Sequence, residues 1–296
     1  MIIKTNPDEF ENFVIDASNF KGNCEAVYFP ESVDEVVSIV KEANTNKTKV
    51  TIAGNGTGLT GARVPQNGIV IATDKLNKIL EINPNDFYAV TEPAVLLSDF
   101  QKELKQQNLF YPPDPTETNC YIGGTVATNA SGAKTFKYGP TRDYVIGLQI
   151  VLPDGEVIDL ERGKQKAIGY DLSLTTQSGK NISLQIPDYT FPAVKNASGY
   201  FVKKDMDAID LFIGSEGTLC IITKIKLKLL QQPEDTISCV LFFEDETSAL
   251  NFLEEARDIS YQNKKNNIND NINALALEFF DERCIKVFSK RFFCDS

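Results

Sequence analysis

Apolar positions change their period several times along the chain. Val33, Val36, Val37 and Val40 fall at i, i+3, i+4 and i+7, the spacing of one helical face. Ser32 stands just before the run and Glu35 three residues on, the pair of a capping box. Asn44-Thr45-Asn46 is the polar stop. The spacing therefore predicts a helix over Val33–Ala43. Short β-type runs flank it, Ala26–Phe29 closed by Pro30, and Lys49–Ala53. Ile69–Ala72, Ile79–Ile82 and Tyr88–Thr91 read as further strands, the last two separated by the turn Asn83-Pro84-Asn85-Asp86. Residues 96–108 read as a helix, stopped by Tyr111-Pro112-Pro113-Asp114-Pro115.

The second stretch, 120–230, opens on the small residues Ile122 to Gly132 and then turns β-rich. Val145–Leu152 and Val157–Leu160 enclose Pro153-Asp154-Gly155-Glu156, a hairpin signal. Leu172–Thr175 and Ile182–Gln185 alternate around Ser178-Gly179-Lys180-Asn181, a second hairpin within a long polar stretch, 161–195, that reads as a surface insertion. Ile221–Leu230 alternates again, with Lys224, Lys226 and Lys228 on one face. That is a half-buried strand with a solvated edge. After Pro233 the pattern predicts a strand over Ile237–Phe243, a helix over Ala249–Ile259, a polar loop over 263–271, a strand over Ala274–Phe280 and a helix over 282–293. The fold class is α+β. The expected organisation is a domain over 1–230, with subdomains of about 25–115 and 120–230, and the beginning of a second domain over 231–296.

Composition narrows the chemistry. The net charge of -11 opposes nucleic acid or an anionic membrane as the main partner. No apolar run of about 18 residues suggests a membrane span, and the acidic start, broken by Pro7, has no signal or transit character. Six cysteines form no C-x-x-C pair, which points to reduced thiols in a cytosolic chain and to no iron–sulfur or zinc site. There is no histidine. Serine triads, Cys–His pairs and imidazole metal sites are excluded for these residues acting alone.

Three glycine-rich turns remain to be explained. The first, Gly54-Asn55-Gly56-Thr57-Gly58-Leu59-Thr60-Gly61, follows a strand as a dinucleotide turn would. Its spacing is G-x-G-x-G-x-x-G, no helix follows, and no G-K-[ST] is present, so neither the Rossmann nor the P-loop arrangement fits. What is left is a bare close-packed turn or a nest, in which successive backbone N–H groups converge on an anion. The second, 122–132, adds Thr125, Thr128 and Asn129 as small hydrogen-bonding side chains beside a rigid proline-rich wall. The third is Gly214-Ser215-Glu216-Gly217-Thr218. A long ligand carrying a diphosphate, touched by several such loops, fits FAD better than a mononucleotide.

GNGTGLTG (54–61), YPPDP (111–115), CYIGGTVATNASG (120–132), KYGPTRDYVIGLQIVLPDG (137–155) and DLFIGSEGTLCIITKIKL (210–227) together resemble the FAD-binding domain of the vanillyl-alcohol-oxidase/PCMH type, in the branch of D-lactate dehydrogenase and the glycolate oxidase flavoprotein subunit. The five motifs stand in the family's order over about 25–230. The resemblance implies a two-subdomain cradle. Gly54, Asn55, Gly56, Thr57 and Gly58 would line the pyrophosphate. Pro113 and Asp114 would flank the cofactor. Gly123, Gly124, Thr125, Thr128, Asn129 and Gly132 would form the second wall, with Tyr138 and Gly139 close behind. Glu216, Gly217 and Ile222 would lie toward the adenosine. Without histidine the FAD would be noncovalent, and Cys120 is carried by such dehydrogenases without serving as a linkage.

The resemblance also implies a reaction, hydride transfer from a D-2-hydroxyacid such as D-lactate or glycolate to FAD. Electrons would then pass to a quinone, a cytochrome or an iron–sulfur partner. Family members continue beyond residue 296 into a cap with a histidine-rich, metal-associated motif, and the base and carboxylate-binding groups belong there. These residues therefore read as a fragment, as one chain of a split protein with a separate C-terminal-half partner, or as a pseudoenzyme or noncatalytic FAD-binding subunit. The expected location is cytoplasmic, at most peripheral to a membrane. Cys220 replaces the family's glycine and reads as a tolerated small residue, and Lys195 reads as solvated.

Overall fold

In the computed structural model the predicted helix is α1 (Val33–Asn46). The structure describes residues 1–192, 194–233, 235–266, 268, 272–284, 286 and 287. Ser32 Oγ caps α1 by accepting from the Glu35 amide at 3.3 Å. The Glu35 carboxylate does not return to Ser32. It accepts instead from the Glu31 amide at 2.8 Å and from the N-terminal ammonium at 3.0 Å. Half of the capping box therefore forms, because the chain's own N-terminus competes for its carboxylate. Lys47 ends the helix in the left-handed region, at φ 56°.

The first sheet holds β1 (Ile2–Lys4), β2 (Ala26–Phe29), β3 (Val50–Ala53) and β4 (Ile69–Ala72), in the order β1-β2-β4-β3. β2, β4 and β3 run parallel, and β1 adds antiparallel on the β2 edge. Every residue of β4 is buried, as expected of a parallel strand covered on both faces. One face, with Ala26, Ile69 and Ile71, packs under Val36, Ile39, Val40 and Ala43 of α1. The other, with Val27, Val70 and Ala72, is closed by Phe10 and Phe13 of the N-terminal turns. Each valine, isoleucine or phenylalanine among them, taken fully from water, contributes roughly 1.5–3 kcal/mol. β1 escaped the sequence pattern because it is three residues long and mostly exposed.

A second, antiparallel sheet takes β5 (Ile79–Asn83), β6 (Tyr88–Thr91), β8 (Val145–Val151), β9 (Val157–Glu161) and β12 (Ile221–Lys228), in the order β5-β6-β12-β8-β9. Its Val151 and Ile221 join the same core as α1. α2 (Leu97–Gln106) leads into β7 (Leu109–Phe110), which pairs with β13 (Leu230–Gln231). The hairpin β10 (Asp171–Thr175) with β11 (Asn181–Gln185) forms as expected. It is more than a surface insertion, since Leu172 and Leu174 are buried along one face of β10.

The chain divides into two compact units. The first is 1–132 with 140–232 and contains everything above. The second is 133–139 with 233–296. In it, α4 (Thr135–Tyr138) and α6 (Glu246–Asn266) are helical, and α6 absorbs the start of the expected polar loop. Residues 267 and 269–271 of that loop lie outside the described residues. The expected strands over 237–243 and 274–280 do not form. Both segments have strand composition, but a strand exists only by pairing, and neither joins a sheet among the described residues. Ile237, Val240 and Phe242 are 93%, 78% and 83% exposed. Of the expected helix 282–293, residues 282–284 and 286–287 are helical, and 285 and 288–293 lie outside the described residues.

Candidate cofactor site

The turn Gly54–Gly61 leaves β3 without a helix behind it, as its spacing predicts. Its inner side is tied to the N-terminal segment. The Gly56 carbonyl accepts from the Ala17 amide at 3.0 Å, and the Gly61 amide donates to Asp16 Oδ2 at 2.9 Å. Arg63, which sequence reasoning passed over, fills the inside of the turn. Its guanidinium donates to the carbonyls of Gly54, Asn12 and Ile15 and lies over the Phe13 ring at 5.4 Å. The outer side is open. Among the described residues, no protein acceptor takes the amides of Asn55, Gly56, Thr57 or Gly58. Asn55 turns its side chain across to the Asn119 carbonyl at 2.5 Å.

That bond leads into the second predicted wall, which is helical at its start. α3 (Ile122–Ala127) forms from the glycine-rich run. The Ile122 and Gly123 amides are taken by the carbonyls of Val95 and Pro93. The hydroxyls of Thr125 and Thr128 bond back to the carbonyls of Ile122 and Gly124, and Thr125 is buried. Both threonines therefore stabilise the wall rather than offer free hydroxyls. Asn129 accepts the Arg142 amide at 3.0 Å and sits in the left-handed region, at φ 47°.

The glycines sort into two kinds. A Cβ on Gly132 would stand 1.8 Å from the Asp114 carbonyl oxygen, and one on Gly123 would stand 2.6 Å from Pro93 Cβ. These two are demanded by close packing within the protein. Gly132 is what lets the Pro113-Asp114 wall approach. Gly58 and Gly124 are different, because a Cβ on either would meet nothing within 4 Å and neither has a positive φ. Backbone strain and internal packing both fail to explain them. Their bare backbones face space into which a ligand can approach.

The third turn is drawn onto α3. The amides of Gly214 and Glu216 donate to the carbonyls of Val126 and Ala127 at 3.0 and 2.8 Å. Glu216 is left-handed at φ 52°, and Gly217 at φ 75° lies with its Cβ position 3.5 Å from Ile52 of β3. Behind the turn, α5 (Ile209–Phe212) is held by a charge triad. Asp210 receives Arg142 at 3.1 Å and Arg162 at 3.0 Å. Arg142 also lies over Phe201 at 4.3 Å. Ile222 sits in β12 opposite Ile150 of β8. β6 pairs β12 only over Ile225–Lys228, so at Ile222 the strand is paired on one side.

The structure thus brings 54–58, 113–114, 119–132 and 214–217 together in one unit. Tyr138 and Gly139 belong to the other unit. There Tyr138 is half-buried, its phenol pushed up by burial, beside the stacked pair Phe136–Tyr261 at 5.2 Å. The group near Gly54 is ionisable. Tyr121 donates to Asp74 Oδ1 at 3.4 Å, and burial raises the Asp74 carboxyl above its usual range against the pull of Arg63. Cys120 is buried and its thiol pushed up to about 11, a protonated and unreactive group at neutral pH. Among the described residues no cluster could hold a metal ion, and no helix is long and apolar enough to cross a membrane.

Comparison with known proteins agrees with this geometry. Residues 24–161 match the family described as "FAD binding domain". A D-lactate dehydrogenase of Anaerostipes hadrus is 37% identical over 76% of this chain and 40% of its own length. A D-2-hydroxyglutarate dehydrogenase of Stutzerimonas stutzeri is 31% identical over 88% of this chain and 46% of its own length. The chain thus spans less than half the length of these curated relatives. A solved structure of alkyldihydroxyacetonephosphate synthase shares the fold, with a TM-score of 0.61 at 20% identity, over 86% of this chain and 43% of that one. The open amides at 55–58 and the bare backbone at Gly58 and Gly124 fall in or beside the matched segment, and residues 24–161 belong to the FAD-binding domain family of the PCMH type.

Proposed function

We propose that the chain holds FAD noncovalently and that the protein to which it belongs oxidises a D-2-hydroxyacid, such as D-lactate or glycolate, to the 2-oxo acid. The observation that carries the cofactor part is the pair of glycines, Gly58 and Gly124, whose missing side chains serve no contact within the protein. The open amides of Asn55, Gly56, Thr57 and Gly58 would receive the pyrophosphate as a nest. Pro113, Asp114, Gly123, Gly124, Thr125, Thr128, Asn129 and Gly132 would form the facing wall. Glu216, Gly217 and the half-paired strand at Ile222 would take the adenosine end. When bound, the flavin supplies a two-electron acceptor for the hydride of the substrate. This chain's residues bind and orient it.

In the same reading, 1–230 is the FAD-binding domain, with subdomains of about 25–115 and 120–230, and 231–296 begins the cap. Electrons would leave to a quinone, a cytochrome or an iron–sulfur partner, and a separate C-terminal-half chain could complete the site. The protein would work in the cytoplasm, at most peripherally on a membrane. The names of the relatives support the substrate class, and without histidine in these residues a general base would be an Asp, Glu, Lys, Tyr or Cys or would come from elsewhere. The test is to reconstitute the chain with FAD and add D-lactate, glycolate or D-2-hydroxyglutarate without oxygen. Bleaching of the flavin band supports oxidation by this chain. A yellow protein that none of the three bleaches supports a noncatalytic FAD-binding role. A protein that stays colourless overturns the cofactor assignment.

A further inference from the structure

We propose that Arg63 is a positioning residue for the cofactor's diphosphate, holding the 54–58 turn with its amides outward and lending that turn a positive charge. The inference rests on the FAD reading of the turn.

Three observations carry it. First, the guanidinium binds backbone carbonyls on two segments, Gly54 in the turn and Asn12 and Ile15 in the N-terminal stretch. A carbonyl drawn inward turns the next amide outward, because the peptide unit is planar and its N–H and C=O point oppositely. The amide following the Gly54 carbonyl is that of Asn55, one of the four left open. Second, Arg63 lies directly beneath Gly56. A Cβ there would stand 2.7 Å from the guanidinium carbon, so the turn rests on the side chain. Third, Arg63 makes no direct ion pair among the described residues, although the carboxylates of Asp74 and Asp16 lie near enough to attract it. Its acceptors are neutral carbonyls. Asp16 spends its oxygens on the Gly61 amide and on Ser18. Burial disfavours this cation more than those two carboxylates favour it, so a further anion close by would stabilise it. The open amides lie on the face where a diphosphate would supply one. Arginine suits the task better than lysine, since its planar fork can hold several carbonyls at once.

A simpler role is a structural brace that pins the N-terminal stretch and has no bearing on cofactor. The experiment separates the two. Wild type, Arg63→Lys and Arg63→Met are titrated with FAD by flavin fluorescence, at low and at high salt. Amide hydrogen exchange is followed at Ala17 and Gly61, which tie the turn inward, and along α1 as a reference. Positioning predicts that Arg63→Met weakens FAD by at least about tenfold, as when one charge-assisted interaction is lost. It predicts that the deficit shrinks at high salt and that Arg63→Lys recovers part of it. Exchange at Ala17 and Gly61 should quicken while α1 stays protected. Equal FAD affinity in wild type and Arg63→Met overturns the proposal. So does a loss of affinity accompanied by an equal loss of protection in α1, which marks a brace for the fold. Wild type that binds no FAD overturns the cofactor reading instead. Exchange at Ala17 and Gly61 then still decides whether Arg63 holds the turn.

Discussion

Gly56 and Gly58 stand two residues apart and answer to different demands. Gly56 has φ +77° and rests on the Arg63 guanidinium. A Gly56→Val side chain meets both obstacles. A branched residue in the left-handed region costs about 1–3 kcal/mol, and the guanidinium must move. FAD binding should fall below detection, with a lowered but still cooperative unfolding transition. Gly58 gives the cleaner test, because a Cβ there meets no protein atom. Gly58→Ala should leave the unfolding midpoint unchanged or raise it slightly, by up to about 1 kcal/mol, yet weaken FAD in a fluorescence titration. Undiminished affinity in Gly58→Ala would show that no ligand approaches there. Asp74 makes a third prediction. Burial raises its carboxyl in the folded state, so the folded chain binds the extra proton between the unfolded and folded pKa values. Stability from this group is present below that window and is lost as pH rises through it. Asp74→Asn should therefore raise the urea midpoint at pH 7 and converge with wild type in acid. That no helix follows the turn, so that it is neither a Rossmann turn nor a P-loop, could be read from its glycine spacing. The role of Arg63 could not, because it depends on carbonyls 48 and 51 residues away in sequence.

At the scale of elements, local periodicity and tertiary pairing had unequal claims. α1 was legible because its valines, its cap and its polar stop agree, and only the second half of the capping box went elsewhere. β8 with β9 was legible from its turn. α3 was not, since Ile122 to Ala127 includes two glycines, poor helix formers. Its first turn is made by tertiary contacts, the carbonyls of Pro93 and Val95. The turn 214–217 was legible as glycine-rich, but not the charge triad that seats it. Arg142 and Asp210 are each 13% exposed in their side chains, and Arg162 is 30% exposed. Removing the shared carboxylate strands two cations. Asp210→Ala should cost roughly 3 kcal/mol, the low end for a broken buried pair because Arg162 still reaches water. Denaturant unfolding would read that loss. Loosening of α5 should also weaken FAD, through the bonds that hold Gly214 and Glu216 to α3. An Asp210→Ala chain as stable as wild type would show the triad to be incidental.

The whole molecule combines a unit with a four-stranded sheet, a five-stranded sheet and two two-stranded pairs and a helix-based unit whose strand-like segments join no sheet among the described residues. The first was largely legible, since most of its strands and helices, β1 and α3 excepted, carry a local signal and find partners within 1–132 and 140–232. The second was misread at 237–243, where composition promised a strand but no pairing occurs among the described residues. The consequence is physical. Ile237, Val240 and Phe242 present apolar surface at 93%, 78% and 83% exposure. A β-prone segment with open backbone groups and exposed apolar side chains is a template for intermolecular pairing. The net charge of -11 opposes this only at long range, since exposed charges are screened beyond about 8 Å at physiological salt. The purified chain should therefore self-associate with rising concentration, and more so at high salt. Changing Val240 and Phe242 to lysine should suppress the association seen by light scattering. It should leave FAD affinity within about twofold, because both residues belong to a different unit from the cofactor turns. Association that persists unchanged in the double variant would locate the sticky surface elsewhere. Loss of FAD binding in that variant would show that 237–243 serves the cofactor site.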